Sequence, residues 1–388
     1  MPVLALHNDC MGCTACESVC PVAAISMNPN GMGFKYPVVD LNKCIECKKC
    51  EKACPIVTPI QKKVNYPKSY AAQLKDASDL MQSQSGGAFD AIASEILKYG
   101  GIVYGASFKK DLSVSHQRIE DPKDLIKLKG SKYVQSELNN IFKTVLDDLK
   151  NGKFVLFSGV PCQIAGLKRS IPLKLQENLF CVDIVCHGVP GPEVYRQYLV
   201  FLENKYHKEI KEYNFRDKNF GWRTSKESVL FEDGQKIESF SYNFLYLQKD
   251  YITRKACSVC RFCNLDRMGD ITIADCWGWE KLHRSVFEED KGISLILINS
   301  EKGEKLFDRF IQSMNFIEVS LEPYLMQRNL RQPTERPKLA DKVQSDFVKY
   351  GFAYINRKYG YTKKNLLRYK VQRYSKALHR RIKKYIGI

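Results

Sequence analysis

From Tyr70 onward, apolar positions alternate between helical spacing and short continuous runs, which predicts helices interleaved with strands. Phe89, Ile92, Ala93, Ile96 and Leu97 share one helical face. Gly100-Gly101 then stops the helix, and Ile102-Val103-Tyr104 starts a strand. Leu138 to Leu149 repeats the amphipathic spacing. Phe154-Val155-Leu156-Phe157 and Leu179 to Val185 are nearly continuous apolar runs, the pattern of strands buried on both faces of a parallel sheet. A further strand, Ile293 to Ile298, precedes a helix near Lys302 to Met314, and the chain after Pro337 reads as mostly helical. Ahead of residue 70 the texture differs. Asn28 to Gly33 is turn chemistry and Phe34 to Val39 a short strand, so a hairpin is expected, and residues 55 to 68, rich in Pro and Lys, read as a linker.

Composition changes this picture in two respects. At 388 residues the chain exceeds what one core usually supports, so two or three domains are expected, and 44% hydrophobic with 27% charged residues is ordinary globular composition. Met1 to Asp9 lack the features of a signal peptide and no run has membrane-spanning length, so a cytoplasmic protein is expected. In that compartment fifteen cysteines are metal ligands or free thiols rather than disulfides. The net charge of +18 is uneven, because Tyr361 to Ile388 hold ten Lys or Arg and no acid. That tail reads as a basic helix. It either attracts an anionic membrane surface or an acidic protein, placing the chain peripherally at a membrane, or packs on the body by its apolar stripe. No recognisable RNA-binding motif accompanies it, so nucleic acid is not an expected partner.

Cysteine spacing carries the chemistry. Cys10, Cys13, Cys16 and Cys20 followed by Pro21 form C-x2-C-x2-C-x3-C-P, and Cys44, Cys47, Cys50, Cys54 and Pro55 repeat it 34 residues later. Two-residue spacers let one tight loop present three thiolates to a 4Fe-4S cluster while the fourth cysteine ligates the other cluster. Cys54 is therefore expected to complete the first site and Cys20 the second. Zinc, the competing metal, does not call for a third cysteine after two residues and then Cys-Pro. A second constellation, Cys257, Cys260, Cys263 and Cys276, could hold a third 4Fe-4S cluster or zinc by itself. Cys162 and Cys186 each follow a predicted strand at the edge where open α/β sheets bind ligands, so Cys162, Cys186, Cys257 and Cys260 form a rival quartet. Cys181, mid-strand, reads as a small buried hydrophobe.

Three turns suit a flavin or nucleotide. Ser85, Gly86 and Gly87 lead into the helix near Phe89, where backbone N–H groups and the helix dipole would face a phosphate, although such a turn also serves as a plain cap. The loop Gly130 to Ser136 offers Ser131, Lys132, Tyr133 and Gln135 for pyrophosphate and ring contact. Gly159, Val160 and Pro161 form a strand-to-loop turn that a ligand could approach closely. No G-x-G-x-x-G follows a strand, so the standard dinucleotide fold is not expected.

Together with Cys186-His187-Gly188-Val189-Pro190 and Asp270-Ile271-Thr272…Asp275-Cys276-Trp277-Gly278, these motifs resemble the coenzyme F-420 hydrogenase/dehydrogenase beta-subunit family over roughly residues 5 to 335. The resemblance implies a flavoprotein with FAD that passes electrons between iron–sulfur clusters and a substrate, such as a deazaflavin coenzyme or a chlorophyll derivative. It is most similar to a bacterial branch associated with polysaccharide biosynthesis. The resemblance also favours the dispersed quartet, since the family's pattern has cysteines matching Cys162, Cys186, Cys257 and Cys260 more regularly than Cys263 and Cys276, and an aromatic residue is usual at position 276. It names no proton donor; His187 and Asp183 lie near the ligand edge, each with a plausible structural role.

The expected fold class is thus α+β/α/β multidomain: a bacterial-type ferredoxin at 1–60, a flavin-binding α/β body with parts at 68–150 and 151–335, and a basic helical extension at 336–388. The expected function is electron transfer between two 4Fe-4S clusters, a third cluster, FAD and a small-molecule substrate or redox partner. The rival is an electron-transfer adaptor without a substrate of its own, and an open cavity over the flavin site distinguishes the two.

Overall fold

The computed structural model describes residues 2–59, 67–279 and 287–362. The cysteine repeat folds as a repeat. Strands β1 (Ile25–Pro29) and β2 (Lys35–Val39) form the expected antiparallel hairpin beside two one-turn helices, α1 (Ala15–Ser18) and α2 (Lys49–Ala53). Each helix starts from a left-handed residue, Thr14 at φ 61° or Lys48 at φ 56°, and Gly12 and Glu46 two positions earlier are left-handed as well. Both pairs keep the 34-residue offset of the motif, so the chain takes the same path around each cysteine loop. Three of these four are not glycine, and surroundings must hold them in that conformation.

The body is one eight-stranded sheet in the order β13-β3-β12-β11-β7-β6-β4-β5. Its strands are β3 (Lys68–Leu74), β4 (Ile102–Phe108), β5 (Val114–Ile119), β6 (Val155–Gly159), β7 (Leu179–Ile184), β11 (Ile271–Asp275), β12 (Ser294–Ile298) and β13 (Met314–Glu318). The central strands β11, β7, β6 and β4 run parallel, with antiparallel strands on both flanks. Val155, Leu156 and Phe157 are wholly buried, as the unbroken apolar run requires. Because β3 lies between β12 and β13, the segments before and after residue 150 share one sheet and form a single body. The helix expected to reach Met314 spans only Glu301–Phe310. A 3-10 turn follows, and Met314 opens β13, an edge strand in which only Met314 is buried.

The short helix α3 (Ala77–Gln82) follows β3, and helices α4 (Ala88–Lys98) and α5 (Ile141–Lys150) fall where the amphipathic spacing puts them. A small sheet of β8 (Ile210–Asn214), β9 (Glu227–Phe231) and β10 (Lys236–Ser239) lies outside the sequence-based expectations. It shares an aromatic core, including Tyr195, Tyr198, Tyr213, Phe215 and Tyr242, with the helix Ala340–Tyr359. That helix kinks at Gly351 (φ 76°) and buries Val343, Phe347, Phe352 and Ile355, so the start of the extension is part of the body. The basic stretch beyond Thr362, with the membrane and partner roles expected of it, lies outside the described residues. Among the described residues, no helix is long and apolar enough to cross a membrane.

Candidate redox site

Two small cavities in the ferredoxin module sort its eight cysteines. One is lined by Cys10, Cys13, Cys16 and Cys54. The other is lined by Cys20, Cys44, Cys47 and Cys50. In each cavity the fourth cysteine comes from the other repeat, and α1 and α2 pack together. Burial raises the Cys13 thiol to about 12, against nearby backbone N–H groups and alongside the charges of Cys10 and Cys54. The backbone N–H of Ala24 also reaches Cys20 Sγ at 3.2 Å. Four thiols around one cavity are the donor set of a 4Fe-4S cluster, so the residues fit that group twice.

The remaining cysteines gather at the carboxyl edge of the parallel strands. Cys162 lies in the first turn of α6 (Pro161–Ser170), directly after β6, and Cys186 two residues beyond β7. Cys257 and Cys260 come from the 3-10 turn Lys255–Val259 and its end. Burial pushes the Cys162 thiol up, helped by the charges of Cys260, Cys186, Cys13 and Cys257. The same pattern recurs at Cys186, where Cys257 and Cys260 are the neighbours, and the N–H of Gly188 points at its sulfur from 3.4 Å. The dispersed quartet is thus brought together. Cys263 stands beside it, hydrogen-bonded to Cys260, whose thiol is lowered by that contact. Cys276 does not join. It is fully buried in a core with Trp222, Trp279 and Leu295, because the turn after β11 carries it away from the 257–263 loop. The local quartet is therefore not assembled. Cys181 is buried, as expected of a small hydrophobe.

A cleft of about 630 Å³ opens beside these cysteines, its wall including Cys186, His187, Gly159, Lys132, Arg216 and Trp277. Parallel strands ending at one edge produce such a crevice. Two ion pairs line it: Lys129 with Asp90 at 2.6 Å, and Arg216 with Asp275 at 2.7 Å. Arg216 also sits 5.3 Å over the Trp277 ring, which stacks on Trp222. The Lys132 amine donates to the Lys129 carbonyl at 2.5 Å and lies 5.8 Å from the Phe108 ring, and burial lowers its pKa to about 7. His116 contacts the Ser158 carbonyl and the Ser136 hydroxyl, both at 2.9 Å, and burial holds it down to about 4. Since a carbonyl only accepts, the neutral ring carries its proton on Nε2, and Nδ1 accepts from Ser136. His187 pairs with Asp250 at 2.5 Å. Asp183 is structural: fully buried, it accepts from Arg267, Thr272 and the N–H groups of Met268 and Gly269.

Of the residues expected to hold a flavin, Ser85, Gly87, Ser131, Lys132, Tyr133 and Gly159 line the cleft. Three do not. Gly86 is pressed into the sheet, where an added Cβ would sit 2.1 Å from the Ala72 carbonyl oxygen, and its N–H donates to Ser294 Oγ. The Gly87 N–H is also taken, by the Gln84 carbonyl, so neither glycine offers the N–H expected to face a phosphate. The turn is instead fixed from behind by the buried Lys218 amine, which donates to the carbonyls of Ser83 and Ser85. Gln135 faces the ferredoxin, bonded to Arg254 and to the Met11 carbonyl. Pro161 is buried at the start of α6, where a missing N–H costs nothing. Arg216, His116 and Arg254 escaped the sequence reading because no periodicity or spacing singles them out. Trp277 lay within a recognised motif without being assigned a role.

Residues 152–323 match the family described as the C terminus of the coenzyme F420 hydrogenase/dehydrogenase beta subunit. Residues 9–57 match the 4Fe-4S dicluster domain. A search of curated proteins found no match. Among solved structures, a chain of the F420-reducing NiFe hydrogenase complex from Methanosarcina barkeri is similar with a TM-score of 0.46 and 17% identity, over 77% of this chain and 93% of that one. Residues 152–323 are thus similar to the C terminus of the coenzyme F420 hydrogenase/dehydrogenase beta subunit, and residues 9–57 ahead of them in the same chain to a 4Fe-4S dicluster domain.

Proposed function

We propose that the chain is an iron–sulfur flavoprotein oxidoreductase, with an electron port in the ferredoxin module and a substrate site in the cleft. The observation that carries this reading is the order of the cysteine sets. The Cys20 set adjoins the Cys10 set, Cys13 lies against α6 so closely that a Cβ at Gly166 would be 2.9 Å from its sulfur, and Cys186 of the dispersed quartet lines the cleft. When bound, 4Fe-4S clusters supply one-electron carriage and FAD supplies conversion between single electrons and pairs. Cys162, Cys186, Cys257 and Cys260 would hold a third cluster. Lys132, Ser131, Tyr133 and the Gly159 turn would hold FAD, with Lys132 as the cation for its phosphates. Two imidazoles also face the cleft: His116, which holds its proton on Nε2 toward the Ser158 carbonyl, and His187, whose Nε2 faces Asp250.

A cleft of about 630 Å³ falls within the range of small-molecule sites and favours this reading over the adaptor, which needs only a docking face. A place in polysaccharide biosynthesis rests on the sequence resemblance alone.

The test is flavin released on denaturation of the full chain after anaerobic reconstitution with iron, sulfide and FAD. Retention near one FAD per chain is expected, with at least a tenfold weaker hold in Lys132→Ala, roughly the loss of one charged hydrogen bond. Burial lowers the Lys132 amine to about 7, so its charge is gained as pH falls through that value. FAD retention by the unmodified chain should rise across the same window and stay flat in Lys132→Ala. Complete clusters without retained flavin would leave the adaptor reading in its place.

A further inference from the structure

Arg254 carries a guanidinium yet is only 1% exposed. Its guanidinium lies between the ferredoxin and the cysteine-rich turn of the body, three residues ahead of Cys257. Nε donates to the Cys10 carbonyl at 2.7 Å, Nη2 to the Lys35 carbonyl at 2.9 Å and Nη1 to Gln135 Oε1 at 3.0 Å. The Tyr36 and Phe34 rings cover it at 4.2 and 5.3 Å. Gly12, in the first cysteine loop, approaches so closely that an added Cβ would be 2.8 Å from Nη1, whereas Glu46 occupies the equivalent place in the second loop.

All of these hydrogen-bond partners are neutral. Among the described residues no carboxylate forms an ion pair with Arg254, although an isolated buried cation is strongly disfavoured and is normally matched by an opposite charge. What it does face is the first cysteine loop, that of the inner ferredoxin quartet: Nε is held on the Cys10 carbonyl and Nη1 lies against Gly12, between Cys10 and Cys13, while Cys257 follows three residues on along the chain. Four thiolates make an iron–sulfur site anionic. The missing counter-charge is therefore the site itself.

We infer that Arg254 is the counter-cation of the inner ferredoxin cluster, raising its reduction potential above that of the outer cluster held by Cys20, Cys44, Cys47 and Cys50. The inference rests on the ligand sets assigned above and not on the flavin. Reduction adds one electron and one negative charge, with no bond made or broken, and a fixed cation in a low-dielectric seam favours that state. Among the described residues the outer loop has no buried cation: Lys48 and Lys49, which line its cavity, are exposed, and Glu46 stands exposed where Gly12 meets the guanidinium. Arg254 thereby biases the module toward holding an electron at its inner end, next to Cys162.

The experiment is a dithionite redox titration of the anaerobically loaded full chain, followed by electron paramagnetic resonance. Cys54→Ala and Cys20→Ala identify the inner and outer signals by their loss. In Arg254→Met the inner midpoint potential should move negative while the outer one stays in place, and Arg254→Lys, which keeps the charge but not the fork, should retain most of the original value. Gln135→Glu sets a carboxylate against the guanidinium and should also move the inner potential negative with Arg254 present, which serves if Arg254→Met does not fold. The inference is overturned by an unmoved inner potential in Arg254→Met or Gln135→Glu, by equal shifts in the Lys and Met variants, or by inner and outer signals moving together. A wild-type chain lacking the inner signal would instead overturn the ligand assignment beneath it.

Discussion

Replacing Cys54 by alanine should remove the cluster held by Cys10, Cys13 and Cys16, and leave intact the one held by its own sequence neighbours Cys44, Cys47 and Cys50. The Cys20→Ala variant should do the reverse. The reason is geometric: the cavity that Cys54 lines is the one bounded by the first cysteine loop, and the cavity that Cys20 lines is bounded by the second. Three thiolates on a 4Fe-4S site leave one iron without a protein ligand, so the expected effect is loss of about half of the ferredoxin iron in each variant, with complementary surviving spectra. Iron and sulfide counts beside electron paramagnetic resonance of the dithionite-reduced protein make the measurement. If Cys54→Ala instead loses the signal that depends on Cys47, ligation follows the sequence order and the interleaved assignment fails.

The largest effect on stability is expected at Asp183. Its carboxylate is fully buried, facing the Arg267 guanidinium at 3.1 Å with Thr272 Oγ1 at 2.5 Å and the N–H groups of Met268 and Gly269 at 3.0 and 2.9 Å. Arg267 is itself only 2% exposed. Removing one partner of a buried pair leaves an uncompensated charge, which costs about 3–5 kcal/mol. Asp183→Ala should lower stability by about that amount, read as a shift of the urea midpoint of the anaerobic protein at unchanged slope. The carboxylate also fixes the turn that joins the 257–263 loop to β11. Iron beyond the two ferredoxin clusters should therefore be lost first, before the ferredoxin signals change. A variant within about 1 kcal/mol of the parent would show that Arg267 finds another partner and that this network does not set the loop.

Local pattern was legible where one element's own residues decide its shape. Within the runs at 154–157 and 179–185, Val155 to Phe157 and Leu179 to Val182 lie in central strands, because a strand covered on both faces is apolar at nearly every position. The helix over 88–98 followed from its spacing and the Gly100-Gly101 stop, Gly100 standing at φ 70°. The edge strand β13 and the small sheet at 210–239 were not legible, since half-exposed strands mix polar and apolar residues without a strong period. The turn at Ser85-Gly86-Gly87 was found for the wrong reason. Its glycines suggested a phosphate cradle, whereas Gly86 is small because two strands, through Ala72 and Ser294, close on it.

By itself the sequence determined the ferredoxin module, because ligand spacing within a few residues constrains a metal loop directly and the duplication states the rule twice, and the two cavities group the eight cysteines in the crossed sets that this spacing predicts. It also determined which six further cysteines to weigh, but not how to divide them. Only the tertiary structure decided that Cys162 and Cys186 meet Cys257 and Cys260 while Cys276 turns into a tryptophan-lined core, since that depends on the order of strands in a sheet assembled from distant segments. The same holds for Arg254. A single arginine has no periodicity to betray it, and its meaning comes from burial between two domains with no carboxylate among the described residues to answer its charge, a relation that exists only once the chain has folded.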